Sequence, residues 1–229
     1  MIKIHQEEDE GLNAAIYAEL RRKLVTGKMA PGHGLSTRGL AQELGVSQTP
    51  VRDALSRLAA EGAVEIRSKR RVQVPAMTEE RFDDLLRCRL LLEPAAAALA
   101  LPHLDAERVA RLRDIDAALD AAVARQDADA YMENNHAFHF TLYRAQPGNT
   151  LTRLIETLWL QFGPFMRVVA GRVNMSPQND HHQAAIRAAE ARDEKALTAA
   201  ISADIAEGMG LIARTGLASS NGNGNGVAD

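Results

Sequence analysis

Gln48, Thr49, Arg52 and Ser56 fall on one side of a short helical pattern. Their amide, hydroxyl and guanidinium groups can hydrogen-bond to base edges or phosphates in a DNA major groove. The opposite side of the same segment is apolar. Val51, Leu55 and Leu58 recur four and three apart, so they share one helix face. Just upstream, Leu40 and Leu44 share a face of an earlier helix, and Val46 joins the same apolar set. Gly45 lies between the two, where a residue with positive φ ends a helix at low cost. Ser47 then stands where its side chain can cap the next helix by accepting a backbone N–H. Residues 35–61 therefore read as a helix-turn-helix.

A second set of hydrogen-bonding cations follows. Val64–Ile66 and Val72–Val74 are short β-branched or alternating runs, and Arg67-Ser68-Lys69-Arg70-Arg71 lies between them. This pattern predicts a β-hairpin with a basic tip. A helix-turn-helix followed by such a hairpin is a winged helix, and its tip can reach phosphates or the adjacent minor groove. Charge supports the division of the chain. Counting Lys and Arg against Asp and Glu, residues 1–10 carry 1 against 4 and residues 11–75 carry 11 against 5. The whole chain is at −3, so the remainder is −6. A basic module on an acidic body suits a protein that presents one face to DNA, and not a polybasic coat.

After Pro75 the strand signals stop, and residues 78–217 read as helices. Thr78 opens the first, which runs to about residue 100 with Pro94 expected to kink it. Asp105 caps a second, to about residue 126. Asp127 or Asp129 starts a third, to about residue 145, and Pro147-Gly148-Asn149 is a turn. Residues 150–171 form a long helix that Gly163-Pro164 should bend. Ser176-Pro177 is a start signal for a final pair spanning about 177–192 and 193–216. The fold class expected is mainly α: an N-terminal winged helix-turn-helix plus a C-terminal all-α bundle of six or seven helices. The expected division is an acidic N-terminal arm (1–10), the winged helix (11–75), the helical domain (76–217) and a disordered, low-complexity tail (218–229). Residues 75–80 are the expected hinge.

The chain has one cysteine, so no intrachain disulfide framework can form. Cys88 lies between Leu86 and Leu90 and is expected to be a small buried side chain. No signal segment and no run of 18 apolar residues stands out, so a cytoplasmic protein without a membrane partner is expected.

The stretch from Gly27 to Gly62 resembles the DNA-binding domain of GntR-family bacterial transcription regulators. The Pro31-Gly32 turn, the Leu40-Ala41 pair, the Ser47-x-Thr49-Pro50-Val51-Arg52 run and the closing Leu58…Glu61-Gly62 carry the likeness, over about residues 11–75. The resemblance implies DNA contact from Arg38, which precedes the Leu-Ala pair. It implies the same for Ser47, Gln48, Thr49 and Arg52, and for the wing tip at Lys69, Arg70 and Arg71. Many relatives carry Arg in place of Gln48, which should alter base preference, and Gly in place of Arg71, which bears on how closely the wing approaches the groove.

Residues 78–210 are similar to the FCD effector domain of the FadR subfamily. The carrying residues are Arg89…Leu92-Glu93…Ala96, Asn135-x-x-Phe138-His139 and Gly148-Asn149, then His182…Ala188…Asp193…Ala196…Asp204. The resemblance implies a divalent metal held by an acid, a His four residues later and two further His. Those positions are Asn135, His139, His182 and Asp204 here, so Asn replaces the acid and an Asp replaces the last His. Asn135 and His139 share a helix face, while His136 is turned about 100° away. Two imidazoles with oxygen ligands can suit zinc, nickel or manganese. The same likeness implies a small organic acid as effector. Arg89 is the candidate partner for its carboxylate, with an ion pair to Glu93, four residues on, as the alternative.

The function expected is a ligand-responsive transcription regulator. It would bind a pseudo-palindromic operator in double-stranded DNA as a homodimer and would not be an enzyme. The rival readings are a metal-dependent enzyme in the helical domain, or a DNA-binding protein whose helical domain only dimerises.

Overall fold

The computed structural model describes residues 2–214 other than 33, 69–70 and 173–180. Its first helix, α1, spans Ile2–Val25, so the backbone of the acidic segment runs on into the first helix of the winged domain. Then come β1 (Gly34–Leu35), α2 (Thr37–Leu44), α3 (Gln48–Ala60), β2 (Glu65–Ser68) and β3 (Arg71–Gln73). The helical half is α4 (Glu79–Ala100), a 3-10 turn (Leu101–His103), α5 (Ala106–Ala124), α6 (Ala128–Tyr143), α7 (Thr150–Arg172), α8 (His181–Glu190) and α9 (Glu194–Arg214).

Local chemistry sets most of these boundaries. The Ser36 hydroxyl caps α2 by accepting from Gly39 N at 2.9 Å, and a Cβ on Gly39 would meet that oxygen at the same distance. Gly45 closes α2 with φ 67°, the left-handed conformation that glycine adopts freely. Ser47 departs from expectation. It occupies the cap position of α3, but its side chain makes no capping bond. Thr78, Asp105 and Asp127 cap α4, α5 and α6 through bonds from Arg81 N, Arg108 N and Ala130 N. The helices run on through Pro94 in α4 and Pro164 in α7. Cys88 is half-buried rather than buried. Ser176-Pro177 and residues 215–229 lie outside the described residues.

The wing is a three-stranded antiparallel sheet in the order β1-β3-β2, with Gly34 opposite Gln73 and Ile66 opposite Val72. β1 escaped the sequence reading because two residues carry no periodicity, and its partner lies almost forty residues on.

One apolar cluster continues from Ile16 on α1 to Ile212 on α9, across both halves. Within the expected hinge, residues 75–80, Pro75 and Met77 are buried, while Ala76, Glu79 and Glu80 are exposed. A polar seam adds to this contact. α1 packs against both α3 and α7. A Cβ on Gly163 of α7 would sit 2.6 Å from the Val25 carbonyl oxygen, so glycine here permits close helix approach. Arg81 donates to the Gly62 carbonyl and to Gln161 Oε1, both at 3.0 Å, and Gln161 donates to the Glu61 carbonyl at 3.2 Å. Arg21 pairs with Glu156 at 3.2 Å, and Arg22 pairs with Glu133 at 3.1 Å.

α9 is long and apolar enough to span a bilayer by length and composition. It instead packs along α4 and α8 and sends Leu197, Ile201, Ile205, Met209 and Ile212 into the core.

Candidate nucleic-acid interface and metal centre

α3 buries Val51, Ala54, Leu55 and Leu58 against the domain and leaves Gln48, Thr49, Arg52 and Ser56 exposed. The exposed face is therefore fixed by apolar packing on the other side, as a groove-reading helix requires. Arg38 on α2 and Ser47 before α3 are also exposed. The Ser47 hydroxyl makes no capping bond to α3. Arg38 and Arg52 make no ion pair among the described residues. Arg71 is exposed at the start of β3, while Lys69 and Arg70 lie outside the described residues. Behind α3, Arg57 sits 3.8 Å over the Tyr17 ring, whose hydroxyl donates to Glu61. Burial and that bond push the Tyr17 hydroxyl up to about 12, so it stays a donor.

In the helical half, three of the four expected ligands converge. His139 comes from α6, His182 from α8 and Asp204 from α9, with ligand atoms all within 4.8 Å of one another. His139 Nε2 lies 3.2 Å from Asp204 Oδ2, and His182 Nε2 lies 3.6 Å from Asp204 Oδ1. Asn135 is buried one turn before His139 on the same helix. His136 and His181 stand apart from the cluster. His136 stacks on Phe140 at 4.3 Å, and His181 pairs with Glu207 at 2.8 Å. Burial, aided by Arg144, lowers His136 to about 4.

The outer nitrogens of the two cluster imidazoles are committed. Tyr143 donates its hydroxyl proton to Glu93 Oε2 at 2.9 Å. Burial and Glu93 raise its pKa well above the usual value, so the proton stays. The Tyr143 oxygen must then accept from His139 Nδ1, 3.0 Å away. Likewise His182 Nδ1 faces the Asp116 carboxylate at 3.3 Å and must be the N–H. Both Nε2 atoms are left facing one carboxylate. A lone pair against a carboxylate oxygen is repulsive, so each Nε2 carries a second proton or the three atoms share a cation. Burial works to raise the Asp204 carboxyl. The His139 bond and the charges of His139, His182 and Arg89 outweigh it and hold it well below the carboxylate range. The donor set thus fits one divalent ion.

The sequence reading did not find Asp116, Trp159 or Phe162, which reach the cluster through packing between helices, nor Tyr143, which sits one turn after His139 on α6. Arg89 bonds Glu93 through Nε at 2.6 Å and Nη2 at 3.4 Å, and both side chains are almost fully buried. The ion-pair alternative for Arg89 is therefore realised. Its guanidinium also lies 3.9 Å from the Phe162 ring centre and 5.2 Å from that of Trp159. Trp159 Nε1 is buried and has no hydrogen-bond partner among the described residues.

Comparison with known proteins agrees with this division. Residues 12–74 match the family model "Bacterial regulatory proteins, gntR family", and residues 84–207, more than half of the chain, match the FCD domain. The HTH-type transcriptional regulator McbR of Escherichia coli K12 is 30% identical over 74% of this chain and 77% of its own length. The gluconate operon transcriptional repressor of Bacillus subtilis 168 is 28% identical over 76% of this chain and 74% of its own. The solved structure of E. coli McbR/YncC superposes with a TM-score of 0.84 at 26% identity, covering 89% of this chain and 98% of that one. A Rhodococcus GntR structure, at 22% identity and TM-score 0.73 over 89% of this chain and 98% of its own, shares the fold. With its helix-turn-helix, its wing and its helical C-terminal half, the chain belongs to the GntR family of transcription regulators, in the branch that carries a C-terminal FCD domain.

Proposed function

We propose that this regulator binds a pseudo-palindromic operator as a cytoplasmic homodimer and releases or tightens it when a small organic acid reaches the His139–His182–Asp204 cluster. One observation carries the reading. α7 joins the two sites. Trp159 and Phe162 on α7 wall the Arg89 end of the cluster, while Glu156, Gln161 and Gly163 hold the winged domain. A ligand shifts a conformational equilibrium only by its differential affinity for the two states. α7 is the element whose position both sites share. The signal is thus routed through the α1–α7 seam rather than through a hinge at residues 75–80.

DNA contact is assigned to Arg38, Ser47, Gln48, Thr49, Arg52, Lys69, Arg70 and Arg71. The metal, zinc, nickel or manganese, would be held by His139, His182 and Asp204, with Asn135 as a weak oxygen donor. When bound, it would supply a Lewis-acidic anchor for an effector carboxylate. Arg89 would serve that carboxylate only by sharing its guanidinium with Glu93, which holds it in this structure. A two-fold operator mirrors a two-fold protein, so protection of two equal half-sites about one helical turn apart is expected in a footprint. Protection of a single half-site by a monomer would overturn the dimer. Coupling is tested by operator affinity with zinc-loaded and chelator-stripped protein. An affinity change of about 5- to 150-fold is expected, and identical affinities would sever the cluster from DNA binding.

A further inference from the structure

We propose that Asp116 on α5 is a positioning residue for this centre. It fixes both the tautomer and the ring flip of His182, so that Nε2 is the atom offered to the metal. The inference rests on the metal reading above. Asp116 lies on a different helix from every ligand, and its side chain is only 5% exposed. It is buried along with Val109, Leu112, Leu119 and Ala122 of its own helix. An ionised carboxylate in such surroundings costs several kcal/mol unless it is paired, so packing alone gives no reason for it.

Its two oxygens divide the task. Oδ1 faces His182 Nδ1 at 3.3 Å, and Oδ2 accepts from the Gln183 amide. Phe138 stacks on the His182 ring at 3.9 Å and 19°, which holds the plane of the imidazole. Stacking cannot choose between the two faces-reversed orientations of a flat ring. A flip would put Cδ2 against Asp116 and turn Nε2 away from Asp204, so the bond to Asp116 makes that choice. A carboxylate partner also makes the metal-binding nitrogen a stronger donor. His139 receives a weaker version through the neutral Tyr143 hydroxyl and then Glu93. The two imidazoles are therefore unequal, and His182 is the stronger ligand.

The test is zinc affinity of the full chain, measured by competition with a chelating dye, for the unaltered protein, Asp116→Asn, Asp116→Leu and Asp204→Asn. Nitrogen NMR of the zinc-loaded histidines is recorded in parallel. Asp116→Asn keeps an acceptor without the charge. It is expected to bind zinc about 10- to 100-fold more weakly while His182 still coordinates through Nε2. Asp116→Leu removes the acceptor and is expected to lose the single Nδ1–H signature as well. Asp116→Asn should melt, metal-free, close to the unaltered chain, whereas Asp116→Leu leaves the His182 N–H and the Gln183 amide without their acceptor and should melt lower, so the Asn variant carries the affinity test. Unchanged zinc affinity in both Asp116 variants, with binding lost in Asp204→Asn, would overturn the role of Asp116 and leave the metal reading standing. No zinc binding by the unaltered chain would overturn both.

Discussion

Single side chains divide into those exposed on the winged domain and those gathered in the His139–His182–Asp204 cluster. Arg52 projects from the exposed face of α3 and has no internal partner among the described residues. If it reads a base, Arg52→Ala weakens specific binding by about 1–3 kcal/mol and relaxes the preference at one operator position. Equal losses on every operator variant would assign Arg52 to phosphate instead. Lys69→Ala should weaken all sequences alike and lower the salt slope by about one ion. His136 sets a pH dependence. Its ordinary value of 6.5 falls to about 4 in the folded chain, so the unfolded chain binds the proton more tightly. Its contribution is fully present above pH ~6.5 and is lost as pH falls towards ~4. At 1.36 kcal/mol per unit, that is on the order of 3 kcal/mol, seen as a falling urea midpoint. His136→Gln should flatten that fall, and an unchanged slope would assign it to other groups. The exposure of Gln48, Thr49, Arg52 and Ser56 on α3 was legible, because outward polar residues opposite an apolar stripe are a local pattern. Glu93 was legible as a partner for Arg89, four residues before it on the same helix, but its bond to Tyr143 was not, since the two are 50 residues apart. Asp116 was not legible, because His182 lies 66 residues on.

At the scale of elements, helix starts were the most readable feature, since Thr78, Asp105 and Asp127 each satisfy orphaned N–H groups within their own first turn. What local chemistry could not show was the work of α7. Gly163-Pro164 looks like a break in the sequence, but the helix passes through it. The missing Cβ is needed for contact with the Leu24 and Val25 carbonyls. Gly163→Ala should therefore force α1 and α7 apart at little cost to helix propensity. We expect a loss of about 1–3 kcal/mol in stability, the range for overpacking, together with a weakened operator response to zinc. A variant as stable and as responsive as the unaltered chain would show that the close approach is incidental. Gln161→Ala, which removes bonds from Arg81 and to the Glu61 carbonyl, should act on the response more than on stability.

For the whole molecule, the charge division seen in the sequence becomes a basic reading head seated on an acidic sensor body, with one apolar core running through both. The seating is broad and partly ionic. Pro75 looks like punctuation, but its neighbours Val74 and Met77 are core residues. The central claim is that this head recognises a defined DNA sequence on behalf of the sensor. The most direct test is selection of bound fragments from a genomic DNA pool by the full chain at a stated salt concentration. The account predicts recovery of one short palindrome, bound far more tightly than its scrambled version. Recovery of fragments with no shared sequence, all bound alike and released together by salt, would contradict it.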